Sequence, residues 1–209
     1  MSLPSLALRS PLSMAKGPVE VMADLEEKMQ ETPGKPETVA LRDGTTVTIR
    51  PICPDDASRL QALFHRLSPE SIALRFLGQP KDLPLEQARQ LANVDYQKRM
   101  ALVATRQHGD EEHIIAVARY AVDATGQPDL AEAAIVVEDE YQKRGLGTLL
   151  LTRLVAYAQK HGIHAFRATV RHDNTQILRF VRHSGLPAES TLDAGVWDIV
   201  VGLEPEVGP

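Results

Sequence analysis

The segment from Ala131 to Gly162 constrains the fold most. It opens with AEAAIVV (131–137), apolar and β-branched enough for a buried strand, and passes through the acidic turn EDEYQKRG. It continues as LGTLLLTRLVAYAQKHG, where Leu146, Leu150, Leu154 and Ala158 recur every four residues and Gly162 is placed to cap the helix C-terminus. A strand that turns directly into a long amphipathic helix has to bury one face of each, so the pattern points to a sheet covered by helices. At the junction Gln142, Gly145 and Gly147 are spaced Q-x-x-G-x-G. The glycines permit a tight turn whose N–H groups converge at the positive end of a helix dipole, an arrangement suited to phosphate. Lys143 and Arg144 add positive charge, and Leu146 and Thr148 belong to the first helical turn. No Gly-Lys-Ser/Thr follows, which excludes a Walker A loop. A dinucleotide fingerprint would follow the first strand of a parallel unit, and this turn follows several strands. A short glycine pattern before a helix also serves as a plain connection, so its neighbours must decide.

Those neighbours are regular. VALRDGTTVTIRPI alternates around Asp43-Gly44, a strong hairpin signal. DDASRLQALFHRL places Leu60, Leu63, Phe64 and Leu67 at helical spacing after Asp55 or Asp56 as cap. SPESIALRF, capped by Ser68, and LEQARQLA, after Pro84, read as two further helices. Strands are expected at 100–105, 113–122, 164–170 and 195–203, with a helix from Asn174 to Ser184 ending at Gly185. Residues 1–36 carry Pro4, Pro11, Pro18, Pro33 and Pro36 around one acidic stretch, VEVMADLEEKMQ. They read as an extension, partly disordered with one possible short helix, before a domain spanning 37–209.

Composition removes several classes. The 209 residues carry 28 Asp and Glu against 23 Lys and Arg, a net charge of −5, which argues against a nucleic-acid partner. No apolar run reaches the roughly 18–20 residues of a bilayer span, and Pro4, Arg9 and Pro11 interrupt the N-terminus, so no membrane association is expected. The single Cys53 has no intrachain partner, which suits a reducing, cytoplasmic setting; without a neighbouring His it reads as an idle thiol. His161 and His164 straddle a helix end with no third ligand at metal spacing, and the run Glu138, Asp139, Glu140 lacks the alternation of a calcium loop. No metal is expected. The acidic run reads as a solvated turn or the flank of an acceptor groove.

In this setting the chain resembles the GNAT superfamily of acyl-CoA-dependent N-acetyltransferases, whose pyrophosphate loop reads Q/R-x-x-G-x-G/A between the fourth strand and the next helix. A second match is D-N174-T-Q-I-L-R-F-V-R-H-S-G185-L186, where an Asn opens a helix that ends eleven residues later at Gly followed by a hydrophobe. More narrowly, LRDGTTVTIRPICPDD, LSPESIALRFLG, NVDYQKRMALVA, IIAVARY and AEAAIVVEDEYQKRGLG are similar to the GNAT domains of bacterial protein-lysine acetyltransferases. The resemblance spans about residues 38–203. It implies an α/β GNAT fold, with a mixed, mostly antiparallel sheet flanked by helices and splayed at the fourth and fifth strands. It also implies acetyl-CoA as cosubstrate and an amine acceptor.

The resemblance distributes roles. Gln142, Lys143, Arg144, Gly145, Leu146, Gly147 and Thr148 would hold the pyrophosphate; the main chain of Ile135, Val136 and Val137 would contact the acetyl group and pantetheine; Asn174 would hydrogen-bond the CoA arm while capping its helix. A lysine with pKa near 10.4 is only about one part in a few thousand neutral at pH 7, so a general base is needed. Glu132 matches the family's acidic position at the A-E-x-A start of the fourth strand. It shares a face with Ala134 and Val136, from which a desolvated, raised-pKa carboxylate is expected. Where many GNAT enzymes carry a tyrosine acid seven residues after the Asn, this chain has Val181. The expected acceptor is a lysine on another protein, its basic neighbourhood drawn by the acidic chain; the alternatives are a small amine or a catalytically silent acyl-CoA sensor. Oligomeric state is left open.

Overall fold

The Asp43-Gly44 turn forms as expected: Gly44 takes φ +82°, its N–H donates to the Leu41 carbonyl at 3.0 Å, and the Thr45 N–H donates to Asp43 Oδ1 at 3.0 Å. It joins β1 (Glu37–Ala40) to β2 (Thr46–Pro51). Then come α1 (Ala57–Arg66), α2 (Pro69–Phe76), α3 (Leu85–Ala92), β3 (Arg99–His108), β4 (Glu111–Val122) and β5 (Leu130–Val137). The chain continues through α4 (Leu146–Lys160), β6 (Ala165–Arg171), α5 (Thr175–His183), β7 (Ala188–Asp193) and β8 (Val196–Gly202). The computed structural model describes residues 34–122 and 127–204. The expected extension, with its VEVMADLEEKMQ helix, lies outside the described residues except for residues 34–36.

The eight strands form one sheet in the order β1-β2-β3-β4-β5-β6-β8-β7, antiparallel throughout except for the parallel β5–β6 pair. Counting the N-terminal hairpin as one unit, β5 and β6 are the fourth and fifth strands of the expected fold. On one face α4 buries Leu146, Leu150, Leu154 and Ala158 against Val47, Met100 and Tyr120. On the other face α1 buries Leu60, Leu63, Phe64 and Leu67 against Ala101, Val103 and Val117. Two helix ends behave as their residues dictate. Ser68 Oγ accepts from the Ser71 N–H at 3.2 Å, and Gly162 closes α4 with φ +73° while the Ile163 N–H returns to the Ala158 carbonyl at 3.1 Å. β7 is an exposed edge strand, and its AESTLD carries no apolar alternation to reveal it. Among the described residues no helix is long and apolar enough to cross a membrane.

Asp56 departs from the expected cap. Its carboxylate is fully buried and makes no cap bond to the first turn of α1; it accepts from Arg50 Nη1 and Nη2 at 2.7 and 2.8 Å and from the Cys53 N–H at 2.9 Å. Burial by itself would raise its pKa, but the hydrogen bonds from Arg50 and Cys53 outweigh that and hold it below the usual carboxylate range. A folded-state pKa below the unfolded value means stabilisation that is present above about pH 3.9 and lost as pH falls through the folded pKa. Asp56→Asn is therefore expected to cost about 1–3 kcal/mol at pH 7. The deficit should hold at pH 5 and shrink as denaturation is repeated at pH 4 and 3; a pH-independent deficit would contradict the assignment. The same carboxylate, with burial, pushes the Cys53 thiol up, away from reactive thiolate.

Candidate active site

β5 is hydrogen-bonded to β4 along Ala131–Val137 but to β6 only over Leu130–Glu132, opposite Ala165–Arg167. Beyond that point the two strands part, and a cavity of about 290 Å³ opens between them. The Glu138 N–H donates to the Ile115 carbonyl on β4. Backbone groups of successive strand residues point to opposite edges, so Glu132, Ala134 and Val136 bond to β4, whereas Ala133, Ile135 and Val137 direct theirs toward the gap. Of the three main-chain contacts expected, Ile135 and Val137 thus face the opening and Val136 does not; Ala133 takes its place. The Val137 carbonyl is already held by Gln142 Nε2 at 3.1 Å. The α5 side chains Ile177, Phe180 and Val181 line the opposite wall and stay half-buried, an apolar stripe left facing the cavity. Asn174 lines it too, and its Oδ1 caps α5 by accepting from the Ile177 N–H at 3.3 Å.

Below the opening, the glycine loop takes two left-handed residues, Lys143 at φ +60° and Gly145 at φ +89°. Gly145 is the N-cap of α4 and offers no side chain to its first turn, whose amides at Leu146, Gly147 and Thr148 are left for a ligand. A β-carbon on Gly147 would meet only Ile135 Cδ1 at 3.6 Å and Val137 Cγ2 at 3.7 Å, ordinary contacts. Packing therefore does not demand glycine there, whereas close approach of a ligand would.

Two loop side chains brace it instead of reaching outward. Gln142 Nε2 donates to Ser71 Oγ at 3.0 Å as well as to Val137, and its Oε1 accepts from Gln176, tying α2, β5 and α5 together. Arg144 donates to Asp43 Oδ2 at 2.6 Å, locking the loop to the β1–β2 hairpin. That places Arg42 beside the loop, with Nε 3.3 Å from where a Gly145 β-carbon would stand. Arg42 is exposed, as is Lys143, so both add positive charge at the loop. Sequence spacing carries no signal for Arg42, because a contact across about a hundred residues exists only once the hairpin folds back. Asp43→Ala is expected to lower acetyl-CoA affinity by about two- to fivefold, the scale of an exposed ion pair; calorimetry checks it, and a loss above tenfold would give Asp43 a direct role.

The acidic run is a solvated turn only in part: Asp139 and Glu140 are exposed, but two of its carboxylates are engaged. Glu138 is buried and accepts from Arg66 Nε at 2.8 Å, and Asp139 accepts from the Ser68 N–H and from the hydroxyls of Ser68 and Ser71 at 2.6–2.9 Å. Together they dock α1 and α2 onto the loop.

Glu132 lines the cavity beside Ala133 and Ala134, as its strand position requires, but it is exposed rather than desolvated. Its surroundings are charged as well as apolar: Arg75 and Arg167 both interact with it electrostatically. Among the described residues the cavity lining holds no tyrosine, histidine or cysteine. The hydroxyls of Tyr96, Tyr120 and Tyr157 donate to backbone carbonyls, and that of Tyr141 accepts from Arg106. His183 and Ser184 bond to their own helix. Among the described residues that line the cavity none supplies the acid missing at Val181. Among the described residues no group of three or more His, Cys, Asp or Glu is placed to hold a metal ion.

Residues 64–186 match the model of the acetyltransferase (GNAT) family. The chain is 35% identical over 123 residues to Acetyltransferase PA5475 of Pseudomonas aeruginosa and 32% identical over 152 residues to Acetyltransferase Pat of Mycolicibacterium smegmatis. These matches cover 59% and 72% of this chain and 65% and 44% of those proteins. Among solved structures, the GNAT domain of S. lividans PAT superposes with a TM-score of 0.69 at 32% identity, over 79% of this chain and 95% of that one. With the parted β5–β6 pair and the open helix amides beneath it, these matches place the chain in the GNAT acetyltransferase family.

Proposed function

We propose that the chain transfers acetyl from acetyl-CoA to the ε-amino group of a lysine on another protein. One observation carries the reading: a gap between β5 and β6 with free backbone groups on one wall, open helix amides below, and an exposed carboxylate at Glu132 on its lining. Acetyl-CoA supplies an activated acyl carbon in its thioester. The α4 amides, with Lys143 and Arg42, would bind its pyrophosphate, and the gap-facing groups of Ala133 and Ile135 would align the pantetheine arm as a further strand does. The Ile135 N–H would donate to the thioester oxygen as negative charge develops there.

Glu132 accepts a proton from the acceptor ammonium, directly or through one water; the neutral nitrogen attacks, the C–N bond forms, the C–S bond breaks, and the second proton, shed by the nitrogen as the amide forms, passes to water or to the released thiolate. The sulfur leaves as thiolate, which a thiol pKa near 8.5 allows without a protein acid. Exposure of Glu132 suits a side chain presented by a folded surface. The narrower similarity to protein-lysine acetyltransferases points to the same acceptor.

The test is to incubate the protein with acetyl-CoA and a lysate of its own host, then map acetylated lysines by mass spectrometry beside a Glu132→Gln control. Sites that depend on Glu132 support the proposal; rapid turnover of a small amine with no such sites replaces it. The absence of an acid near Val181 favours a second reading, an acyl-CoA sensor, which binding without CoA release on every acceptor would establish.

A further inference from the structure

We propose that Arg75 and Arg119 form an anion-binding subsite beside Glu132, so that the preferred acceptor carries a carboxylate near its reacting amine. The inference rests on Glu132 marking the acceptor side. Arg119 lies on β4 opposite Ala134, and Ala121 opposite Glu132, so Arg119 and Glu132 project from the same face of the sheet. Arg75, in the last turn of α2, lines the large cavity with Glu132 and also a smaller recess of about 50 Å³ that Arg119 lines. It therefore stands between the other two.

Both arginines are half-buried, and among the described residues neither is hydrogen-bonded or in salt-bridge contact with a carboxylate. Arg75 has the Phe76 ring, 5.1 Å from its guanidinium carbon, and the field of Glu132 without a direct contact to it. Other arginines of this fold are matched: Arg50 with Asp56, Arg66 with Glu138, Arg144 with Asp43, Arg167 with Asp198. Burial drives the Arg119 guanidinium down to about 10, and the positive charges of Arg75 and Arg99 push the same way. Burial also lowers Arg75, with Glu132 opposing. Two unmatched cations side by side cost stability. A carboxylate would remove that cost, because a guanidinium offers paired N–H donors in the geometry a carboxylate accepts.

This local charge reverses an expectation drawn from the net charge of −5. Beyond the Debye length of about 8–10 Å a distant acidic surface is screened, and at contact the arginines decide. A basic neighbourhood would be repelled next to Glu132. An acidic one would be held.

The carboxylate could belong to an acidic residue flanking a lysine or to the acceptor molecule itself, and four probes separate these sources. Each is titrated by calorimetry into the CoA-saturated protein, where no turnover occurs: a pentapeptide with Glu on both sides of a central lysine, its Gln counterpart, free lysine, and lysine amide. The acid-bearing member of one pair should bind about tenfold tighter or more, as expected for charge-assisted hydrogen bonds. Arg119→Gln and Arg75→Gln should each bring that preference near unity while the melting temperature holds or rises, since neither variant strands a hydrogen-bonded partner. An arginine needed only for packing would lower the melting temperature and leave the preference intact.

Equal affinity within both pairs, including no binding by any probe, overturns the subsite, and acetylation of both peptides alike would then leave the lysine proposal standing. Preference confined to free lysine keeps the subsite and removes the protein acceptor.

Discussion

Replacing Glu132 by glutamine lowers turnover by about a hundredfold or more, the scale of a lost general base, while acetyl-CoA affinity stays nearly unchanged. The substitution is almost isosteric, and Glu132 stands on the wall of the gap, not on the helix amides, so the loss should fall on kcat. Single-turnover rates with a lysine peptide, beside calorimetric affinity for acetyl-CoA, check it. Equal rates for mutant and parent across pH 6–9 would remove Glu132 from the chemistry. The exposure of Glu132 makes the measurement sharper: with no packing around the carboxylate to disturb, a folded mutant with low turnover reports on proton transfer.

Gly147→Val lowers acetyl-CoA affinity by about ten- to hundredfold, the cost of forcing added methyl groups into a filled contact. The companion Gly147→Ala separates ligand from fold. Its β-carbon would meet Ile135 and Val137 at ordinary distances, so alanine should leave stability unchanged or raise it by up to about 1 kcal/mol through helix propensity. Its acetyl-CoA affinity should still fall. Gly145 is unsuitable for this comparison, because its φ of +89° and the Arg42 side chain beside it strain any replacement even without ligand. Unchanged affinity in a folded Gly147→Val protein would show that pyrophosphate does not approach this turn.

What the sequence determined by itself is what depends on near neighbours. The four-residue apolar repeat of α4, the alternation around Asp43-Gly44, the Ser68 cap and the Gly162 stop are each set by groups within a few residues, and each stands where the pattern puts it. The Q-x-x-G-x-G turn was legible for the same reason: backbone freedom at Gly145 and open amides at the start of α4 are local properties.

Side chains that act across the fold were not legible. Gln142 and Arg144 read as phosphate-side groups, but Ser71, Gln176 and Asp43 capture them, and those partners come near only when α2, α5 and the hairpin converge. Glu138 and Asp139 read as solvated acids, but Arg66 holds Glu138 as a buried tie and the Ser68 and Ser71 hydroxyls engage the still exposed Asp139. The face of Glu132 followed from strand alternation, yet its exposure depends on how far β6 diverges from β5, which no periodicity encodes. The pairing of Arg75 with Arg119 is of the same kind. Charge in a sequence is a sum, whereas the field at a site depends on distance and burial, and those are decided by packing.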